Sequence, residues 1–229
     1  MAARASEAVW ERTALGMVVS SAGGFMDAYS FITQGEVFAT GQTGNVVLLA
    51  LNAAHLNLAG VLHYLAPISA FLVGIIASRA VMDAFRVEHV RMQRYVLLFE
   101  AVAFAVLAAL PPEVPDLFVN SMISLFAAVT FENFRTFGTS SAYASVFCTG
   151  NLRSFAETLY DGLSGHNYNE LGRAFRYLAI VGSFVTGVLI AAGMCHFLGS
   201  HSCWGISVLF LLAGRFVSDI ERDEELGRA

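Results

Sequence analysis

The sequence predicts an all-α integral membrane protein, built from six transmembrane helices in two inverted three-helix repeats. Two observations carry this prediction. The composition is 56% hydrophobic and only 14% charged, with a mean hydropathy of +0.63, which lies outside the range of ordinary soluble domains. In addition, the triplet Thr-Gly-Asn occurs twice in the same kind of setting, at 43–45 and 149–151. A repeated polar turn in so apolar a chain indicates a duplicated membrane protein with broken helices, an architecture typical of transporters.

The six predicted helices are apolar runs that approach or reach bilayer-spanning length. They lie at about 14–33, 58–78, 95–110, 117–134, 172–197 and 203–218. The proline-rich stretch 111–116 joins the halves, so repeat one covers about 14–110 and repeat two about 117–218 of a single membrane domain. The charged tail 219–229 follows. The first apolar segment leads directly into the first repeat, which favours a retained span over a cleaved signal peptide.

The arginines predict the topology. We expect each Thr-Gly-Asn segment to be re-entrant, leaving and returning on one side of the membrane. With the N-terminus inside, all 13 basic residues, every one an arginine, then fall on the cytoplasmic side, as the positive-inside rule requires. An odd number of spans per half inverts the second half, so the two tips approach near the midplane. In the alternative, each segment crosses fully, the halves are parallel, and Arg135 and Arg153 are separated by the membrane.

The repeated turn is the predicted solute site. Its glycines allow a ligand to approach the backbone closely, and its Thr and Asn residues favour the start of the short helix that follows. The free amides of a helix start attract an anion or a carboxylate. In the alternative, the triplets only cap two helices against each other. The candidate residues of the turn are Thr43, Gly44, Asn45, Thr149, Gly150 and Asn151.

Three further side chains belong to the candidate site. Asp27 lies deep in the first span, where a carboxylate must be paired, protonated or in contact with water. It either couples transport to a proton or cation, or anchors the backbone of the broken segment. Asn133 occupies the same place in the second copy and can form hydrogen bonds without titrating. Arg153 follows the second triplet and either attracts an anion or pairs with Glu157 one turn on.

Two other groups call for an interpretation. Glu100 lies within the third span. It either is a second functional acid, or snorkels or pairs with an arginine near a membrane surface; we favour a pair with Arg94, its near neighbour in sequence. A compact Cys/His group near the end of the fifth span either holds a metal or is an ordinary loop between helices. A disulfide between its two cysteines is a further alternative if the loop faces an oxidising compartment. The group comprises Cys195, His196, His201 and Cys203.

Composition excludes several functions. Without lysine there is no Walker-type phosphate loop and no Schiff-base enzyme, and a net charge of −5 without a basic stripe argues against nucleic acid. The leading hypothesis is a transporter or channel for a small solute, without a cofactor. A membrane scaffold or sensor is the alternative, and an intramembrane enzyme is less well supported. Expected partners are the lipid bilayer and a solute or ion; the small-residue face of Gly16, Ser20 and Gly24 serves internal packing or a homodimer.

The motifs also resemble a known family. Residues 24–31, Gly-Phe-Met-Asp-Ala-Tyr-Ser-Phe, followed by 37–40 and the first triplet, are similar to the N-terminal signature of the YoaK-like family of bacterial membrane proteins. The resemblance extends through 141–152. It implies a multi-pass protein of the bacterial inner membrane, and the arginine pattern places both termini in the cytoplasm. Members have no known function, so the resemblance names no solute. The chain departs from the pattern at Glu132, where Gln is expected before Asn133.

Overall fold

The computed structural model describes residues 2–85, 89–111, 113–134 and 148–228, without the side chains of 2–11, 89 and 223–228. The described residues form eight α-helices and one 3-10 turn, and they contain no strand. The all-α prediction is therefore confirmed for this part of the chain. The elements are α1 Ala2–Thr33, α2 Gln42–Ala54, α3 Leu58–Phe85, α4 His89–Ala108, α5 Asp116–Asn133, α6 Cys148–Ser164, α7 Tyr168–Leu198, the 3-10 turn Gly199–Cys203 and α8 Trp204–Arg228.

Six of these helices are long, and each overlaps one predicted apolar run. The six are α1, α3, α4, α5, α7 and α8. Several extend well beyond the predicted run: α1 begins 12 residues before its predicted run, and α8 ends 10 residues after its own. The other two, α2 and α6, have 13 and 17 residues. Each begins one residue before a Thr-Gly-Asn triplet, so the prediction that the triplets start two short helices is confirmed.

Helices α1 and α7 are parallel neighbours. Ser20 Oγ donates to the Ile180 carbonyl near the start of the contact, and Tyr29 Oη donates to the Ser200 carbonyl near its end. Between these points the helices approach closely, because Gly24 faces the main chain of Phe184 with no room for a Cβ atom. The small-residue face predicted from the sequence is thus used inside the protein, for packing α1 on α7.

Helices α3 and α5 form a second parallel pair, which corresponds to the first. Gly74 of α3 faces the Leu125 carbonyl of α5, and the Asn133 amide farther along α5 donates to Ser78 Oγ farther along α3. Because α1 packs on α7 and α5 packs on α3, each half contributes one helix to each pair. Helices α4 and α8 pack on each other, which completes an internally two-fold pattern of contacts.

One end of the bundle collects the end of α1 and the starts of α3 and α5. The His63 Nε2 atom of α3 lies 2.7 Å from the Gly35 carbonyl, just beyond α1. The Asn120 amide of α5 donates to the Gln34 carbonyl at 2.6 Å. The chain therefore leaves α1 and enters α3 at the same end of the bundle, with α2 in between.

The outer surface of the bundle is apolar. Two helical segments, Leu58–Phe85 and Tyr168–Arg222, are long and apolar enough to cross a membrane by length and composition. Only 17% and 22% of their most apolar windows are buried inside the protein, whereas the core helix of a soluble protein is mostly buried. Polar side chains lie fully buried instead: Ser30, Asn45, Glu100, Asn120, Ser124, Thr130, Asn133 and Ser202. An apolar exterior around a polar interior is consistent with a membrane protein.

Candidate functional site

The chain between α1 and α2 folds back along α1 and is fastened to Asp27. The main-chain N–H and the hydroxyl of Thr40 donate to the two Asp27 carboxylate oxygens at 2.6 and 2.7 Å. The Gly41 N–H donates to the same carboxylate at 3.3 Å. Asp27 lies six residues before Thr33, the last residue of α1, so the chain returns about 9 Å into the bundle before α2 begins. This geometry corresponds to the anchoring alternative for Asp27.

Asn45 closes the same turn from the other side. Its side-chain carbonyl accepts from the Phe38 N–H at 3.0 Å, and its amide donates to the Phe38 carbonyl at 2.6 Å and to Gln42 Oε1 at 3.1 Å. Asn45 is fully buried, and both amide hydrogens are used. The Phe38 ring in turn stacks on Phe31 at 4.9 Å. Asn45 therefore holds the turn in shape, which favours the capping alternative for this residue.

The threonines of the triplets are in a different situation. Thr43 and Thr149 are exposed, as is Gly150, and Gly44 is half-buried. A Cβ atom at Gly44 would lie 2.8 Å from the Phe38 ring, so this position requires a glycine for close approach. Asn151, like Asn45, is buried. The two hydroxyls are thus the polar groups of the triplets that a solute can reach.

The first turns of α2 and α6 share an electrostatic property. Neither contains an acidic residue, and no side chain caps the start of α2. The partial positive charge of each helix start is therefore not compensated by a carboxylate within its own first turn.

The start of α6 lies near the turn that precedes α2. Cys148, the first residue of α6, is close enough to Asp27 for the two side chains to interact electrostatically. Asp27 also holds the chain just before α2 begins. Asp27 therefore binds the chain that leads into α2 and lies within electrostatic range of the first residue of α6.

Asn133 occupies the position in the second copy that Asp27 occupies in the first, but the two side chains contact different kinds of groups. Its amide donates to Ser78 Oγ at 2.8 Å and to the Val129 carbonyl at 2.9 Å, and Gln93 of α4 donates to its main-chain carbonyl at 2.9 Å. It thereby joins α3, α4 and α5. Its side-chain oxygen is buried and has no hydrogen-bond partner in the described ranges. The equivalent positions of the two repeats therefore make different contacts.

Arg153 points away from the bundle. Its side chain is 79% exposed, and its Nε atom lies 2.8 Å from Glu157 Oε1, one turn along α6. The pairing alternative for Arg153 is the one that the structure contains. Arg135, together with the part of the family resemblance at 141–147, lies outside the described residues.

The predicted pairing of Glu100 with Arg94 is wrong. Arg94 pairs with Glu221 of α8 at 3.2 Å, whereas Glu100 is fully buried and accepts from Thr130 Oγ1 of α5 at 2.5 Å. Helix geometry explains the difference. Residues six apart on an α-helix lie about 240° apart around its axis, so neighbours in sequence here occupy different faces.

The Cys/His group forms an ordinary connection between helices. Cys195 and Cys203 are free thiols, so the disulfide alternative is wrong. Cys195 Sγ contacts Ser202 Oγ at 3.1 Å, and His201 Nδ1 lies 2.8 Å from the Ala108 carbonyl. His196 packs against the ring of Phe197. Among the described residues, these side chains form no group of three that could hold a metal ion.

Sequence reasoning missed the threonines that hydrogen-bond the buried acids Asp27 and Glu100. Thr40 and Thr130 are each almost fully buried, at 2% and 0% exposure, and each donates its hydroxyl to a carboxylate. One signal was available for Thr40, which lies in the segment 37–40 that carries part of the family resemblance. Thr130 gave none, because its contact joins helices thirty residues apart.

These features define an all-helical protein with an apolar exterior, a polar interior and two short helices that begin at a repeated turn. Residues 15–215 match the family described as "Protein of unknown function (DUF1275)". The match covers most of the chain, so the chain belongs to this family. No curated protein and no solved structure matches it.

Proposed function

We propose that the chain is a transporter or channel of the bacterial inner membrane for a small anionic or carboxylate-bearing solute. The observation that carries this proposal is that two short helices, whose first turns contain no acidic residue, begin within electrostatic range of Asp27 in a bundle whose exterior is apolar. A scaffold has no need of polar turns folded back into an apolar bundle.

The proposed membrane arrangement has six spans and two re-entrant segments. Helices α1, α3, α4, α5, α7 and α8 span, with α1 and α7 in one direction and α3 and α5 in the other. The contacts that bring the end of α1 and the start of α3 to one end of the bundle support a re-entrant α2. Arg79, Arg91, Arg94 and Arg222 support the orientation, because all lie toward the opposite end, which faces the cytoplasm in this proposal.

The proposed site lies between the first turns of α2 and α6. The Thr43 and Thr149 hydroxyls offer hydrogen bonds, and the main-chain amides of both helix starts favour negative charge. Gly44 and Gly150 leave the backbone accessible. Asn45 keeps the first turn in its conformation, and Asn151 is proposed to do the same in the second repeat. Arg153, exposed and paired, has no direct part in the site.

The test is ligand-dependent thermal stabilisation of the purified protein across small inorganic anions, monocarboxylates and dicarboxylates. An anion present at 100 times its Kd stabilises the folded state by about 2.7 kcal/mol. Thr43→Val and Thr149→Val should each weaken this stabilisation without lowering the melting temperature of the unliganded protein. The matched control is Thr186→Val, on the exposed face of α7, where the hydroxyl donates only to its own helix.

Three outcomes are distinct. Stabilisation by an anion that both variants weaken supports the site. Stabilisation that neither variant changes places the site elsewhere. If no anion or carboxylate stabilises the folded wild-type protein, the transporter proposal for this solute class fails and the scaffold alternative gains support.

The inverted arrangement has its own test. Two single-cysteine variants report the side of the membrane from which each tip is reached. One carries Gln42→Cys and lacks the three native cysteines; the other retains Cys148 and lacks Cys195 and Cys203. We expect Gln42→Cys to react with a membrane-impermeant thiol reagent from the periplasmic side and Cys148 from the cytoplasmic side. Reaction of both from the same side contradicts the inversion.

A further inference from the structure

Glu100 is one of three buried acids among the described residues, with Asp27 and Glu132. Glu132 pairs with Arg79, and the surroundings of Glu100 also differ from those of Asp27. Both Asp27 oxygens accept hydrogen bonds, including two from main-chain N–H groups. Glu100 accepts one, from the Thr130 hydroxyl, and its other oxygen is buried without any partner in the described ranges. Glu100 itself is 0% exposed.

A negative charge at Glu100 would lack compensation. The charged or titratable side chains on α4 and on the elements packed against it have other positions or partners. Arg91 and Arg94 pair with Glu221, and Arg79 pairs with Glu132. His201 bonds the Ala108 carbonyl at the far end of α4. Arg215 and Asp219 line a hollow with Arg94, and Glu100 is not among its lining residues. In the described part of the chain, the side chain that hydrogen-bonds Glu100 is Thr130.

An ionised carboxylate that is buried with one hydrogen bond and no counter-charge is very costly, and such a group takes up a proton instead. The neutral acid fits the geometry. Its O–H donates to Thr130 Oγ1, and the remaining oxygen becomes a carbonyl, for which the loss of a hydrogen bond costs far less than for a charged oxygen.

We propose that Glu100 is held as a neutral carboxylic acid and is a proton-binding group of the protein. Thr130 accepts a hydrogen bond from the protonated acid and donates one to the carboxylate after the proton has left. Only the role of this proton in transport rests on the proposed function: Glu100 releases the proton and binds it again as the solute moves. Asp27 remains the anchor of the re-entrant turn. Ionisable groups inside membrane bundles commonly form such proton relays.

Infrared spectroscopy of the purified protein in micelles of a detergent without ester groups, at neutral pH, tests the proton site without any solute. A protonated carboxyl group gives a carbonyl stretching band that is separate from carboxylate and amide bands. We expect this band in the wild type, its complete loss in Glu100→Gln, and its retention in the matched Asp27→Asn variant. A wild type without the band, or a band that Glu100→Gln leaves intact, overturns the proposal.

Isotope labelling covers the case in which Glu100→Gln does not fold. In wild-type protein labelled with ¹³C at the side-chain carboxyl of glutamate, the band must shift to lower frequency, and labelling of aspartate must leave it in place. The reverse assignment would make Asp27 the candidate proton carrier and refute the role of Glu100. Because neither measurement involves a solute, a failed anion screen alongside a confirmed band would refute the transport proposal alone.

Discussion

The hydroxyl of Thr40 provides a quantitative test of how the turn between α1 and α2 is held. Thr40→Val preserves the shape and the β-branch of the side chain but removes the 2.7 Å hydrogen bond to Asp27 Oδ2. Both partners are buried, Thr40 at 2% and Asp27 at 8% exposure. A hydrogen bond to a charged group contributes about 1.5–3 kcal/mol, so we expect the free energy of unfolding to fall by about 2 kcal/mol.

Thr40→Val in an Asp27→Asn background separates the contribution of the Asp27 charge from that of the hydrogen-bond geometry. An asparagine oxygen can still accept from the Thr40 N–H, and its amide can pair with the hydroxyl, but the bond is then neutral and contributes about 1 kcal/mol. Thr40→Val should therefore cost about half as much in this background, with an interaction energy of about 1 kcal/mol between the two sites.

The assay is reversible unfolding in mixed micelles by increasing fractions of denaturing detergent, with Thr186→Val as the control for a Thr-to-Val change on an exposed face. The control should change stability by less than about 0.5 kcal/mol. Equal stability of Thr40→Val and wild type would refute the anchor. Asp27 would then regain the coupling role that the sequence left open.

Three further substitutions test other contacts. Gly24→Ala places a Cβ atom against the Phe184 carbonyl and should destabilise by about 1–3 kcal/mol or more; wild-type stability would show that α1 and α7 do not pack as described. Asn45→Ala removes two hydrogen bonds to the Phe38 main chain and one to Gln42 and should destabilise by at least about 2 kcal/mol. Unchanged unfolding in detergent would contradict the role of Asn45 in holding this turn. Asn133→Asp sets a carboxylate oxygen against the Val129 carbonyl and should lower the yield of folded protein more than Asp27→Asn does; the opposite ranking by size-exclusion chromatography would contradict these contacts.

The helices themselves could be predicted from the sequence. The predicted run 58–78 lies within α3, and 172–197 lies within α7. The length of an apolar run is a local property of the sequence, so it can be determined without knowledge of the fold. The starts of α2 and α6 were also predictable, since Gly and Asn next to Thr carry local turn and capping chemistry.

The partners of the buried side chains could not be predicted in the same way. Glu100 finds Thr130 and Asn133 finds Ser78, at separations of 30 and 55 residues. Such contacts depend on which helices are neighbours and how each is rotated, which the sequence pattern alone does not give. The Arg94 error is different in kind, because helix periodicity alone argues against a pair six residues apart.

The two copies of the repeat have diverged where their chemistry matters most. The first copy has a carboxylate at position 27 that accepts main-chain hydrogen bonds from its own loop. The second has an amide at position 133 that donates to α3 and to its own helix. An amide there can satisfy a carbonyl and a hydroxyl, whereas a carboxylate would repel the carbonyl; conversely, an amide at position 27 could not accept every hydrogen bond that the loop now donates. The two Thr-Gly-Asn segments therefore follow similar sequences, but their surroundings set different requirements on the matching position. Glu100 belongs to the first repeat and has no acidic counterpart in 204–218 of α8. The proposed proton site at Glu100 thus belongs to one half of the chain, while the proposed solute site draws on both.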